Sequence, residues 1–107
     1  MVRGTDVRPQ KWSDVIDLFD NGSYSAIWGR YDENEEERCL GVRWNGNDTD
    51  ERYGYPSQGG HPVWYVEPGF LQRAILLALQ SELDVNRSFS RRAEYQRNIS
   101  TALAECP

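Results

Sequence analysis

The chain has 107 residues, 38% of them hydrophobic and 12% aromatic, including four Trp and six Tyr, and its mean hydropathy is -0.77. One domain over 1–107 is expected at that length, with rings supplying core volume where aliphatic side chains are few. A net charge of -5 opposes the phosphate backbone and disfavours generic nucleic-acid binding, and the longest apolar run, Ala74 to Leu79, is far too short for a membrane-spanning helix.

Residues 1–8 are polar and are expected to be loose. The following stretch, PQKWSDVIDLFDNG, places Trp12, Val15, Ile16 and Phe19 at i, i+3, i+4 and i+7, the spacing of one helix face. Pro9 suits the first turn of such a helix and Asn21-Gly22 its exit. SYSAIWGRY (23–31) and RCLGVRWN (from 38) read as two strands joined by the acidic turn DENEEE at 32–37, an antiparallel hairpin in which Leu40, Val42 and Trp44 share a face. Cys39, Gly41 and Arg43 take the other face. Residues 46–61 form a long loop without a period, a feature often tied to function in small domains.

PVWYV (62–66) reads as a short strand with Pro62 at its start. EPGFLQRAILLALQSEL is a helix that starts at Glu67-Pro68, with Phe70, Leu71, Ala74, Ile75, Ala78 and Leu79 as its apolar face, widened by Leu76, Leu77 and Leu83, so that it is expected to be central. SFSRRAEYQRNISTALAEC is a third helix, with Tyr95, Ile99, Ala102, Leu103 and Cys106 inward and Arg91, Arg92 and Arg97 on its wetter side. The expected order is therefore α-β-β-β-α-α, an α+β fold with a three-stranded antiparallel sheet and helices on one face. Cys39 and Cys106 form no CxxC pair, and no basic-then-apolar leader opens the sequence, so a cytoplasmic protein with reduced thiols is expected.

Three chemistries compete for the loop region. His61, flanked by Gly60 and Pro62, has a side chain that titrates near neutrality, and Asp48, Asp50 and Glu51 supply candidate orienting acids. A small acid/base hydrolase built on His61 and Asp50 is one reading, although no GxSxG elbow accompanies it. One histidine and two unpaired cysteines leave no zinc set, and neither DENEEE nor NDTDE has calcium-loop spacing, so no metal or cofactor is expected. The second reading is a pocket for a small molecule, in which Trp44, Tyr53, Tyr55 and Trp64 stack on the ligand. There Arg43 anchors an anionic or amide group and His61 offers one hydrogen bond at the rim. The third is a partner surface, with homo-oligomerisation covering the second sheet face, or with the acidic stretches 32–37 and 48–51 gripping a basic protein as an inhibitor or immunity-type protein would.

CLGVRWNG, followed by GYPSQGGHPVWYVEP, resembles uncharacterised small bacterial proteins carried on integron gene cassettes and similar mobile elements. The likeness covers the middle third of the chain. It implies a compact bacterial accessory domain, with oligomers and small-molecule pockets as recurrent themes, and it carries no activity or catalytic residue. The leading expectation is thus a non-enzymatic accessory protein that self-associates and binds a ligand beside the 46–61 loop.

Overall fold

The computed structural model describes residues 12–31, 37–46, 54–58 and 61–107, with side-chain surroundings not described for Gln58, His61 and Pro62. Its elements are β1 (Trp12–Asp20), β2 (Tyr24–Tyr31), β3 (Cys39–Trp44), β4 (Ser57–Gln58), β5 (His61–Pro62), β6 (Tyr65–Val66), α1 (Gly69–Val85) and α2 (Arg92–Glu105). An antiparallel sheet runs in the order β1-β2-β3-β6, and β4 pairs with β5 as a separate two-stranded ribbon. The fold is α+β as expected, with four strands in the main sheet and two helices instead of three strands and three helices.

The missing helix is β1. Its helical spacing arises from two bulges, where the register with β2 shifts between Ser13 and Ile16 and again between Asp17 and Phe19. Each bulge adds one residue opposite its partner strand and so stretches an alternating pattern toward steps of three. The side chains that look like one helix face go to two sides of a sheet. Trp12 and Val15 pack with Ile27 and Trp64 on one side, while Ile16 and Phe19 join the main core on the other. Gly29 lies opposite the first bulge, where a Cβ would come within 2.9 Å of Val15 Cγ2.

A bulge frees backbone groups that the ladder would otherwise bind. Both bulge carbonyls are taken by side chains: Arg38 Nη1 donates to Asp14 O at 3.1 Å, and Asn98 Nδ2 donates to Asp17 O at 2.7 Å. Asn21-Gly22, expected to end a helix, turns the β1-β2 hairpin with Gly22 at φ 94. Asn21 Oδ1 accepts from the amides of Ser23 and Tyr24 in that turn.

The β2-β3 hairpin is antiparallel as expected, and its register sets Tyr24 opposite Trp44 and Trp28 opposite Leu40. Ala26, Trp28, Leu40 and Val42 face both helices and form the main core with Leu76, Leu79 and Leu83 of α1 and Tyr95, Ile99 and Ala102 of α2. The inward side of α2 is as expected; that of α1 is a part of the wide face expected of it. Leu76, Leu79 and Leu83 point in, and Phe70 and Leu71 are exposed. Leucines on most sides of α1 leave the pattern ambiguous, and the packing selects the stripe that spares the alanines. Arg91, expected on the wet side of α2, instead bridges Asp17 and Glu94 and lies over the Tyr95 ring at 5.0 Å.

The expected strand PVWYV is divided. Tyr65–Val66 pairs with Val42 and Gly41 of β3, whereas His61–Pro62 pairs with Gln58 and Ser57. Between them Trp64 is buried against Ile27 and covers the sheet face away from the helices. Within the expected 46–61 loop, Tyr55 bridges Trp44 through paired backbone bonds of 2.7 and 3.0 Å. Residues 1–8 and most of the acidic turn 32–37 lie outside the described residues.

Candidate functional site

Four aromatic side chains converge where the helices stop covering the sheet. Tyr24 and Trp44 are cross-strand partners, with ring centroids 4.8 Å apart and planes at 67°. Tyr65 is opposite Val42, and the Trp44-Tyr55 bridge brings the fourth ring alongside. Together with Pro56, Glu67 and Arg43 they line a concavity of about 350 Å³, within the range of small-molecule sites. Trp44, Tyr55 and Tyr65 are 56%, 67% and 48% exposed. Such large rings are normally placed where they lose contact with water, and three of them are exposed together here.

The ionisable groups lining the concavity are Glu67, Tyr24, Tyr55, Tyr65 and Arg43. Glu67 is fixed by its amide, which donates to Leu40 O at 3.0 Å. Among the described residues its carboxylate makes no hydrogen bond or ion pair. Burial, and then the nearby Glu67 charge, push the Tyr24 phenol up to about 12, so Tyr24 is neutral at any physiological pH.

Arg43 builds this region from below. It is 1% exposed, and its Nη1 donates to Val63 O at 2.7 Å and Pro56 O at 3.4 Å. Burial lowers its pKa. The guanidinium therefore ties Pro56 and Val63 to the sheet, a different placement from the ligand anchor expected of it. Gly54 is required beside it, because φ is +71 and a Cβ would lie 1.9 Å from Trp44 O and 2.6 Å from Arg43 Nη2. Tyr55–Pro56 is a cis peptide.

Of the site residues expected from sequence, Arg43, Trp44 and Tyr55 come together at the concavity. Trp64 is buried on the opposite face of the sheet. The His61 backbone lies in β5, with its side-chain surroundings undescribed, and Tyr53, Asp48, Asp50 and Glu51 lie outside the described residues. Tyr24, Tyr65 and Glu67 enter the site without having been singled out for it. Tyr24 enters through the β2-β3 register, which places it across from Trp44 and which the sequence alone leaves open; Glu67 reads in the sequence as the acid that opens α1.

A second, wider concavity of about 670 Å³ lies by the first bulge, lined by Asp14, Arg30, Glu37, Arg38 and Glu105 among others. Its charges answer one another. Arg30 pairs with Asp14 at 2.8 Å, and Arg38 and the Trp28 indole N–H both donate to Glu105. Those bonds, that of Arg38 first, hold the Glu105 carboxyl down at about 2. The arrangement is a clasp between α2 and the sheet. Cys39 and Cys106 are free thiols. Among the described residues no set of His, Cys, Asp and Glu could hold a metal, and no helix is long and apolar enough to cross a membrane.

No family model, curated protein or solved structure matches the chain.

Proposed function

We propose that this protein is a non-enzymatic binding module that takes a small molecule on the ring cluster of Tyr24, Trp44, Tyr55 and Tyr65. The observation that carries this reading is the convergence of three strongly exposed rings on one concavity beside Glu67. A bacterial accessory role of the mobile-element type is the setting we attach to it, on the CLGVRWNG and GYPSQGGHPVWYVEP likeness. A thermal-shift screen of flat and cationic small molecules tests the reading, with hits measured again on Trp44→Ala. Loss of one stacking wall removes about 1 kcal/mol or more, so hit affinities fall at least about fivefold. Hits that bind Trp44→Ala unchanged count against the pocket.

A second property is supported by α1. Phe70, Leu71, Leu77 and Val85 are exposed on a helix whose Leu76, Leu79 and Leu83 already serve the core. A helix apolar on two sides is ordinarily covered on both. We infer that the outer side of α1 packs against a second copy of the chain, the partner always present at matching concentration.

A further inference from the structure

The concavity has a charge as well as a shape. Its rings offer electron-rich faces, and Tyr24 and Trp44 stand at 67° to one another, as two walls of a box do. Glu67 adds a full negative charge at the same lining. The positive residue in the lining, Arg43, is 1% exposed and turns Nη1 to the carbonyls of Val63 and Pro56. A ligand anion would face Glu67 with Arg43 committed elsewhere. A compact cation would meet ring quadrupoles on several sides and a carboxylate on another.

We propose that this pocket takes a free organic cation of the methylated-ammonium class, seated against the Tyr24 and Trp44 rings with the Glu67 carboxylate as its counter-charge. The inference rests on the ring cluster being the ligand site. A methylated ammonium fits better than a primary one. Its methyl groups carry the charge to the ring faces, and it has no N–H that must find an acceptor inside the pocket. The Tyr24 phenol remains neutral, being raised by burial and by Glu67, so it adds a ring face and no second charge. The molecule's net charge of -5 favours a bare cation over a zwitterion that carries a phosphate.

The test is calorimetric titration of the whole chain with choline, with its uncharged isostere 3,3-dimethylbutan-1-ol, with phosphocholine and with indole as a neutral flat probe. Choline is expected to bind at least about tenfold more tightly than the isostere. Glu67→Gln is expected to remove most of that preference while leaving indole binding unchanged. Trp44→Ala is expected to weaken both choline and indole. The Glu67 amide bond to Leu40 survives the glutamine substitution, and Trp44 is largely exposed, so both variants retain the fold, as circular dichroism would show. Equal affinity for choline and its isostere overturns the cation assignment and leaves the pocket standing. Tighter binding of phosphocholine than of choline overturns the choice of a bare cation. Binding of indole without choline also overturns the cation, whereas no binding of any probe removes the pocket reading along with it.

Discussion

Single residues in this fold carry unusual structural weight, and Arg43 carries the most. It is buried, charged and bound to main-chain carbonyls. Its removal takes the side-chain donor from Val63 O, while Pro56 O keeps the Val63 amide at 3.1 Å; an acceptor left unmet costs about 1–3 kcal/mol, and the emptied volume adds to that. Arg43→Ala should lower stability by about 3 kcal/mol, read as an earlier midpoint in urea. Arg43→Lys should restore only part of it, since one ammonium does not reproduce the fork. Gly54→Ala should be of similar severity, because the added Cβ would sit 1.9 Å from Trp44 O at φ +71. The sequence shows the arginine and the glycine but not their purpose: an alternating strand reveals which face Arg43 takes, and nothing local reveals that a distant segment folds over that face.

At the scale of elements, legibility followed the regularity of the backbone. β2, β3, α1 and α2 have uniform periods and are evident from the pattern of apolar residues. β1 is not, since its two bulges change the period without changing the element, and the Asn21-Gly22 pair that would have corrected the reading fits a helix exit and a hairpin turn equally well. Half of the candidate site was visible for the same reason. Trp44 and Tyr55 flank a loop that stands out, whereas Tyr65 and Glu67 depend on a two-residue strand that no periodicity reveals.

The clasp between α2 and the sheet has a pH signature. Glu105 ionises at about 2 in the fold, below the usual value near 4.3 for an unfolded glutamate. Its contribution is therefore complete above the unfolded value and disappears as pH falls toward about 2. The side chain is 39% exposed, so solvent screening holds the effect to about 1 kcal/mol or less. Glu105→Gln should be less stable than the parent at pH 7, with the gap narrowing between pH 5 and pH 2 in chemical unfolding.

For the whole molecule, the sheet is closed on its two faces by unequal means. Two helices cover one face with a contiguous apolar core. Among the described residues the other is closed by Trp64, Trp12 and Val15 around Ile27, with Gly41 leaving room for the Trp12 ring, whose Cη2 would lie 2.8 Å from an added Cβ. The thin cover should open before the thick one. In native-state hydrogen exchange, amides of 54–55 and 63–66 should exchange at lower free energy than those of α2, and Arg43→Ala should widen that difference. Self-association belongs to this scale as well. Sedimentation should show a dimer that Leu77→Asp returns to a monomer with its unfolding midpoint, measured on dilute samples, little changed, because Leu77 lies on the exposed side of α1. A monomer at high concentration in the parent protein would remove that inference.

The four tryptophans are each placed in a different setting. Trp28 is fully buried in the main core with its indole N–H on Glu105, Trp64 is buried on the opposite face, Trp12 is half-buried beside Tyr31 and Trp44 stands in solvent at the concavity. The chain therefore holds four built-in optical reporters spread over three regions, since Trp12 and Trp64 share the far cover. Emission from Trp44 should shift to the blue when the concavity fills, while the light from Trp28 stays constant until the helices leave the sheet. Loosening of the far cover should register first as a red shift from Trp64. Three processes that a single melting curve would merge are separable by colour, in variants that keep one indole at a time.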